Sequence, residues 1–195
     1  MAAEIYRAMY ARGGEYAGLP VFFASGHRSM IPHGRWTTKP FVRGETAICE
    51  LTGVVRRYAG PLFRTISLGP PSADVARRAA VVKEMLETLI ATVRPGITSH
   101  DVNAAVVKAG ARLGGGITKR AGYSIGLNYP PDWGEGAFLD LKAGDPTVLQ
   151  PGMTFHVPQS IRAADAPTVA ISESILVTDS GCEVLTSFQR DLIEV

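Results

Sequence analysis

The side chains that could do chemistry in this chain are organised around a lone carboxylate, Glu50. It lies in an apolar run that continues from Ala47 to Val55, which is typical of a strand. Because burying a charge without a partner is costly, a carboxylate in such a strand is either paired or works in a functional site. Glu50 is therefore the first candidate catalytic residue.

A second group of candidates lies in residues 120–136, which read RAGYSIGLNYPPDWGEG. This Gly- and Pro-rich composition predicts an irregular loop, and such loops often form binding surfaces on a compact domain. Tyr123, Tyr129 and Trp133 could wall a pocket there and stack on a planar cation. We therefore predict that these three residues bind substrate, and that Glu135 lies on the surface.

The elements that position these residues start with a hairpin over residues 44–69. Its sequence, GETAICELTGVVRRYAGPLFRTISLG, predicts two strands, with Thr52-Gly53 as a turn or bulge. A helix over residues 1–12 and a strand over residues 20–24 precede it, and His33 lies in the loop that follows that strand.

Two helices and three strands follow the hairpin. Apolar residues recur every three or four positions over residues 71–93, which predicts an amphipathic helix. A second helix is predicted over residues 99–113, and three glycines at 114–116 end it. Strands are predicted over the ranges 153–157, 169–178 and 182–185, with a polar turn over 161–167.

The composition limits the class of protein. A chain of 195 residues, with 46% hydrophobic and 19% charged residues, has the values of one globular domain. A net charge of +2 gives no sign of a nucleic-acid or membrane partner. Two cysteines without a signal peptide predict a reducing cytoplasm. No apolar run approaches the roughly 18 residues that cross a bilayer.

The hairpin resembles the first metal-binding hairpin of the methionine aminopeptidase, prolidase and creatinase family, the pita-bread enzymes. Gly44-Glu45 and residues 58–65 keep that family's frame, and GYSIGLNYPPDWGE closely resembles ectoine hydrolases. The resemblance implies an α+β fold in which helices cover the outer face of a curved antiparallel sheet. It also implies one catalytic-type domain over residues 1–195, without the family's N-terminal domain, and a homodimer.

The metal ligands of that family do not carry over to this chain. The positions of its two aspartates, its histidine and its first glutamate are Glu50, Pro61, Tyr123 and Pro158. The last glutamate falls on Ser172, so Glu173 is one residue out, which changes the face of a strand unless a bulge restores it. Two carboxylates alone should not hold a dinuclear centre, so we expect no metal and no other cofactor.

The resemblance to creatinase and ectoine hydrolase implies that acid–base side chains replace the metal ions. His33 would be the proton shuttle, although a solvated loop histidine is the alternative. Glu50 would bind a cationic amidine, or act as nucleophile or base on its carbon, and Glu173 would complete the catalytic set. Arg64 would bind a substrate carboxylate or orient Glu50, or else form a structural ion pair. His156 would face the cavity or pack in the core.

Three functions stay open at this point. The first is a metal-independent hydrolase of a C–N bond in a small polar substrate, such as an ectoine-type cyclic amidine or a creatine-like molecule. The second is a non-catalytic paralogue, which the absence of an N-terminal domain and a short segment after Met153 favour. The third is a Xaa-Pro aminopeptidase-like protein with degraded metal sites.

Overall fold

The computed structural model describes residues 1–31, 33–111, 120–134, 136–163 and 165–195. Within these ranges the helices are α1 (Ala2–Tyr10), α2 (Ala73–Thr92) and α3 (Ser99–Ala111), and a 3-10 turn covers Gly26–Met30. The strands are β1 (Phe22–Ser25), β2 (Thr46–Val55), β3 (Tyr58–Ser67), β4 (Gly122–Ser124), β5 (Asp140–Leu141), β6 (Thr154–His156), β7 (Gln159–Ala163), β8 (Ala166–Ile171), β9 (Ser174–Val177), β10 (Cys182–Val184) and β11 (Ile193–Glu194).

The first sheet has the order β1-β2-β3-β11 and is built on the β2–β3 hairpin. The predicted turn or bulge at Thr52-Gly53 is wrong, because both residues pair continuously with Pro61 and Gly60 of β3. The turn lies at Arg56 and Arg57, whose φ angles of 50° and 66° fall in the left-handed region. That conformation is costly for non-glycine residues and needs support from the surrounding structure.

Contacts from two other segments supply that support. The backbone N–H of Arg56 donates to a carboxylate oxygen of Glu15 at 2.7 Å. The Arg57 guanidinium donates to the backbone oxygen of Asn128 at 2.7 Å and to that of Tyr16 at 2.9 Å. The turn is therefore fixed by tertiary contacts that a local sequence pattern does not show.

The second sheet has the order β10-β9-β6-β4-β5, and α2 and α3 pack on one of its faces. Alternate residues of its strands point in opposite directions. Phe155 and Ile175 pack into the helix-covered core, whereas His156 and Ser174 point the other way, where Ser174 donates to the backbone oxygen of Pro61 in β3. The uncovered face of this sheet therefore looks toward the hairpin.

The β7–β8 hairpin joins the two sheets. Thr65 of β3 accepts a hydrogen bond from the Ala170 N–H of β8 at 2.8 Å and donates to the Ala170 oxygen at 2.9 Å. The predicted polar turn over residues 161–167 is wrong, because residues 161–163 and 166–167 belong to paired strands. The predicted strand over residues 169–178 is interrupted at Ser172 and Glu173, between β8 and β9.

The two predicted amphipathic helices agree with the structure. Helix α2 begins after Ser72, whose hydroxyl accepts a hydrogen bond from the Val75 N–H at 3.2 Å and caps the helix. The predicted ends of the second helix at 112–113 and its three glycines lie outside the described residues. Among the described helices, none is both long enough and apolar enough to cross a membrane.

Candidate active site

Glu50 lies in the middle of the first sheet, on the face that looks toward the second. The strand register places Phe22 of β1 on one side of it and Phe63 of β3 on the other. Its side chain is 6% exposed, as expected for a carboxylate in an apolar strand. Glu50 is therefore buried on the inner face of the first sheet.

His33 lies at the solvent-facing side of Glu50. Its Nε2 is 3.7 Å from Oε2 of Glu50, and its ring stacks on Phe22 with 4.4 Å between ring centroids. A left-handed backbone at His33, with φ of 56°, turns the loop there. The His33 side chain is 46% exposed, so it can exchange protons with water while it contacts the buried carboxylate. This pairing brings together two of the three residues predicted as catalytic.

Tyr123 and Trp133 form a wall beside Phe22. The three rings are buried together, and Trp133 meets Phe22 edge-on with 5.8 Å between centroids. The Trp133 Nε1–H donates to the Tyr123 hydroxyl at 3.1 Å. A Cβ at position 122 would lie 2.8 Å from Val157 and 2.9 Å from the backbone oxygen of His156. Gly122 therefore permits the close strand approach that holds Tyr123 against His156.

His156 is fully buried and bridges two hydroxyl groups. Its Nδ1 lies 2.7 Å from the Tyr123 hydroxyl, and its Nε2 lies 2.6 Å from Ser172 Oγ. Burial, with a smaller contribution from the charge of Arg120, lowers the pKa of His156 to about 3. His156 is therefore neutral in the physiological range. It holds Tyr123 in place and has no charge with which to bind an anion.

Ser172 contacts the candidate site, although sequence reasoning did not select it as a candidate. Its hydroxyl contacts His156 and accepts a hydrogen bond from the Phe63 N–H at 2.7 Å. The only sequence signal was that Ser172, and not Glu173, falls at the position of the family's last ligand. The break between β8 and β9 leaves Ser172 on the side of His156 and does not turn Glu173 toward it.

Arg64 and Glu173 form a separate buried cluster. Arg64 donates to Glu173 at 2.8 Å, and Arg190 donates to the same carboxylate at 3.1 Å. Thr186 donates to the other oxygen of Glu173. Arg64 pairs with Cys49 in the strand register, one position from the Glu50–Phe63 pair, so it points to the opposite face of the first sheet. The structure thus gives Arg64 an ion-pair role and does not bring it to Glu50.

The same cluster ties down the end of the chain. Arg64 donates to the backbone oxygen of Gln189 at 2.7 Å and to that of Phe188 at 3.2 Å. Strand β11 then pairs in parallel with β3. The catalytic role predicted for Glu173 stays untested, but its carboxylate is committed to two arginines and a threonine.

Tyr129 is not with the other aromatic residues. Its side chain is 59% exposed, and its ring packs against the Arg57 guanidinium with 4.9 Å to the centroid. The loop reverses between Tyr129 and Trp133, so one ring faces solvent while the other is buried. The surface position predicted for Glu135 lies outside the described residues.

The residues at the family's ligand positions do not fit a dinuclear metal centre. Glu50 supplies one carboxylate, whereas Pro61 and Pro158 have no donor atom in their side chains. The Tyr123 and Ser172 hydroxyls are both engaged with His156. Among the described residues, no group of three or more His, Cys, Asp and Glu side chains could hold a metal ion.

The two facing sheets, with helices on one side and a carboxylate–imidazole pair between them, define a pita-bread protein. Solved structures with this architecture include dipeptidase PepE from Mycobacterium ulcerans, which is 26% identical with a TM-score of 0.90 and matches all of this chain and 51% of its own. Prolidase from Pyrococcus furiosus is 25% identical with a TM-score of 0.88, over 96% of this chain and 55% of its own. The predicted α+β pita-bread fold is confirmed.

The chain belongs to metallopeptidase family M24, whose model matches residues 1–179. The ectoine hydrolase of Halomonas elongata is 39% identical over 184 residues, which cover 92% of this chain and 45% of that protein. The Xaa-Pro dipeptidase of Pyrococcus horikoshii is 28% identical over 99% of this chain and 54% of its own. The chain spans about half the length of the curated relatives it matches.

Proposed function

We propose that this protein hydrolyses a C–N bond in a small polar substrate of the cyclic amidine type, and that it does so without a metal ion. The observation that carries the proposal is the donor set between the two sheets. Glu50, at one ligand position of the family, pairs with His33, and hydroxyl groups or prolines occupy the other ligand positions. The similarity to an ectoine hydrolase supports this substrate class.

Charge complementarity explains why Glu50 suits such a substrate. An amidinium is a planar cation, and a buried carboxylate that pairs with it neutralises both charges in a site with little water. The wall of Phe22, Tyr123 and Trp133 supplies flat apolar surface beside that carboxylate. A substrate bound against Glu50 would therefore lie with its reacting carbon beside the carboxylate and within reach of the His33 ring.

The reaction adds one water across the C–N bond. Glu50 either removes a proton from the attacking water or first forms an ester with the amidine carbon, which water then opens. The carbon–nitrogen bond breaks with its electron pair on nitrogen, and His33 donates a proton to that nitrogen. The proton released by water passes through Glu50 to His33, so both regain their starting protonation states. Because the amidine is cyclic, one ring-opened product that carries both an amide and an amine leaves the site.

A substrate panel assayed with and without chelator tests this function. Ectoine-type amidines, cyclic ureas and Xaa-Pro dipeptides are each incubated with protein whose metal content has been measured. Amidine turnover that chelator does not reduce is the expected result. Dipeptide turnover that depends on bound manganese, cobalt or zinc would replace the proposal with a peptidase. If no compound on the panel is bound or turned over, the protein is a non-catalytic paralogue.

The family resemblance also supports a homodimer, located in the cytoplasm. Size-exclusion chromatography with light scattering tests the assembly, since a dimer has twice the mass of the 20.8 kDa chain. A mass equal to that of one chain at micromolar concentration would contradict it.

A further inference from the structure

Trp133, Tyr123, His156 and Ser172 are buried and form a continuous series of hydrogen bonds. Trp133 Nε1 lies 3.1 Å from the Tyr123 hydroxyl, which lies 2.7 Å from His156 Nδ1. On the other side of the imidazole, Nε2 lies 2.6 Å from Ser172 Oγ, which also accepts from the Phe63 N–H at 2.7 Å. The two ends of this series are fixed, because an indole N–H and a backbone N–H can only donate.

The direction of the central hydrogen bonds depends on which nitrogen of His156 carries the proton. If Nε2 carries it, Ser172 Oγ accepts two hydrogen bonds, from His156 and from Phe63. Its own hydroxyl hydrogen then needs a further acceptor. Within the described part of the chain, Ser172 Oγ makes hydrogen bonds with His156 and Phe63 only. This arrangement leaves a fully buried O–H without an acceptor, which costs about 1–3 kcal/mol.

If Nδ1 carries the proton, every hydrogen-bond donor and acceptor in the side chains of Ser172 and His156 has a partner. Ser172 donates its hydroxyl hydrogen to Nε2 and accepts from the Phe63 N–H. The Tyr123 oxygen accepts from both His156 Nδ1 and Trp133 Nε1, which fills its two lone pairs. The hydroxyl hydrogen of Tyr123 must then be donated to a different acceptor, outside the His156–Trp133 pair.

Tyr123 shares a buried cluster with an immediate neighbour of the candidate catalytic residues. Tyr123 packs against Phe22, and Phe22 is the strand neighbour of Glu50 and the stacking partner of His33. Phe63, the strand neighbour of Glu50 on its other side, anchors Ser172 through its backbone. The relay of Ser172, His156 and Tyr123 therefore contacts both strand neighbours of Glu50.

We propose that Ser172 and His156 are positioning residues that fix the Tyr123 hydroxyl as a hydrogen-bond donor into the Glu50 site. The inference about the relay stands on the hydrogen-bond geometry alone, whereas its use in catalysis rests on the proposed function. In that reaction Tyr123 donates to the oxygen that adds to the amidine carbon. A preorganised phenol donor stabilises negative charge that develops on such an oxygen.

The protonated nitrogen of His156 can be read directly by nitrogen-15 NMR. The chain has four histidines, and a His156→Gln variant identifies the His156 resonances by their loss. At neutral pH we expect a neutral ring with its proton on Nδ1. A ring with its proton on Nε2 would overturn the proposal, because Tyr123 would then donate to His156 and not into the site.

Ser172→Ala and Ser174→Ala form a matched pair for the catalytic part. Both serines are buried and border His156, but the Ser174 hydroxyl donates to the backbone oxygen of Pro61, whereas the Ser172 hydroxyl hydrogen-bonds to the imidazole. Ser172→Ala should lower kcat by about 10- to 100-fold, the usual cost of losing a residue that orients a functional group, with KM little changed. Ser174→Ala should keep kcat. Equal effects of the two variants on kcat would overturn the proposal.

Tyr123→Phe removes the hydroxyl itself. It should lower kcat by about 100-fold, as the loss of one oxyanion donor does. If Ser172 acts through this hydroxyl, the double variant should be no slower than Tyr123→Phe alone. If the fall in kcat of the double variant equals the product of the two single-variant effects, Ser172 does not act through the Tyr123 hydroxyl, and the relay is contradicted. A protein that turns over no amidine refutes the proposed function, but the NMR measurement still decides the direction of the relay.

Discussion

Two buried glutamates, Glu50 in β2 and Glu173 in the break between β8 and β9, have opposite surroundings. Glu173 is held by two arginines and a threonine on the outer side of the first sheet. Glu50 lies on the inner side and faces His33, whose imidazole is partly exposed to solvent. An arginine keeps its proton at every physiological pH, whereas an imidazole can gain or lose one.

This difference distinguishes a carboxylate with a structural role, Glu173, from one proposed to take part in catalysis, Glu50. The arginines hold Glu173 in one state and lock residues 188–190 against the sheet. In the proposed reaction the Glu50–His33 pair passes a proton, which is what hydrolysis needs. Burial alone does not distinguish the two, since both side chains are nearly inaccessible. The comparison can be tested by removing one member of each pair.

The largest expected effect is that of Glu50→Gln on turnover. Glutamine keeps the shape of the side chain but cannot accept the proton, so the rate should fall by about 10³-fold, within the range of acid–base catalysis. Steady-state amidine hydrolysis measures it, and thermal unfolding should change little. Glu45→Gln is the control, because Glu45 forms a surface pair with Lys39 at 2.7 Å. Equal activity of the two variants would remove Glu50 from the mechanism.

Arg64→Met should affect stability instead. Removing one partner of a buried ion pair leaves a poorly compensated charge, which typically costs about 3–5 kcal/mol. Denaturant unfolding measures the loss. Arg77→Met removes an exposed partner of Asp74 and should cost at most about 1 kcal/mol. If Arg64→Met instead keeps its stability and loses substrate binding, Arg64 belongs to the site as the sequence first suggested.

The buried imidazole predicts a pH dependence of stability. The pKa of His156 falls from 6.5 to about 3 on folding, so between these values the unfolded chain binds the extra proton. His156 therefore contributes stability fully above pH 6.5, and the contribution is lost as the pH falls toward 3. The slope from this one group approaches about 1.4 kcal/mol per pH unit.

Unfolding measured between pH 7 and 5 in wild type and in His156→Gln checks this contribution. The free energy of unfolding should depend less steeply on pH in the variant than in wild type, by the equivalent of up to one bound proton. The imidazole resonances of His156 in the folded protein should also stay those of the neutral ring throughout this range. A His156 that titrates near 6.5 in the folded state would contradict the buried, neutral relay.

The smallest expected effect is that of Tyr129→Ser. Tyr129 is exposed and packs on Arg57, so its loss should cost at most about 1 kcal/mol of stability and leave KM unchanged. Amidine kinetics in parallel with Trp133→Phe, which removes the hydrogen bond to Tyr123, test this contrast. A raised KM in Tyr129→Ser alone would return Tyr129 to the substrate-binding group.

The sequence was sufficient where a local pattern fixes the structure. Helices α2 and α3 follow from the spacing of their apolar residues. The β2–β3 hairpin follows from its composition and from its resemblance to the hairpin of the family. The burial of Glu50 follows from the apolar run around it. These features depend on neighbours a few residues apart, which a single sequence displays.

The rest depended on contacts between distant segments. The left-handed turn at Arg56 and Arg57 is held by Glu15 and Asn128, and it lacks the glycine that usually marks such a turn in a sequence. The faces of Ser172 and Glu173 depend on the break between β8 and β9. Arg190, which completes the Glu173 cluster, is 17 residues further along the chain. Neither the ion-pair role of Arg64 nor the Ser172 relay could be assigned without these pairings.

In the proposed function, acid–base side chains, and not bound metal ions, carry the chemistry between the two sheets. The most direct test is amidine turnover by the protein after metal removal, with metal content measured in the same sample. We predict the same rate before and after removal, and a rate near background for Glu50→Gln. A rate that disappears with the metal and returns on adding manganese, cobalt or zinc would contradict the claim.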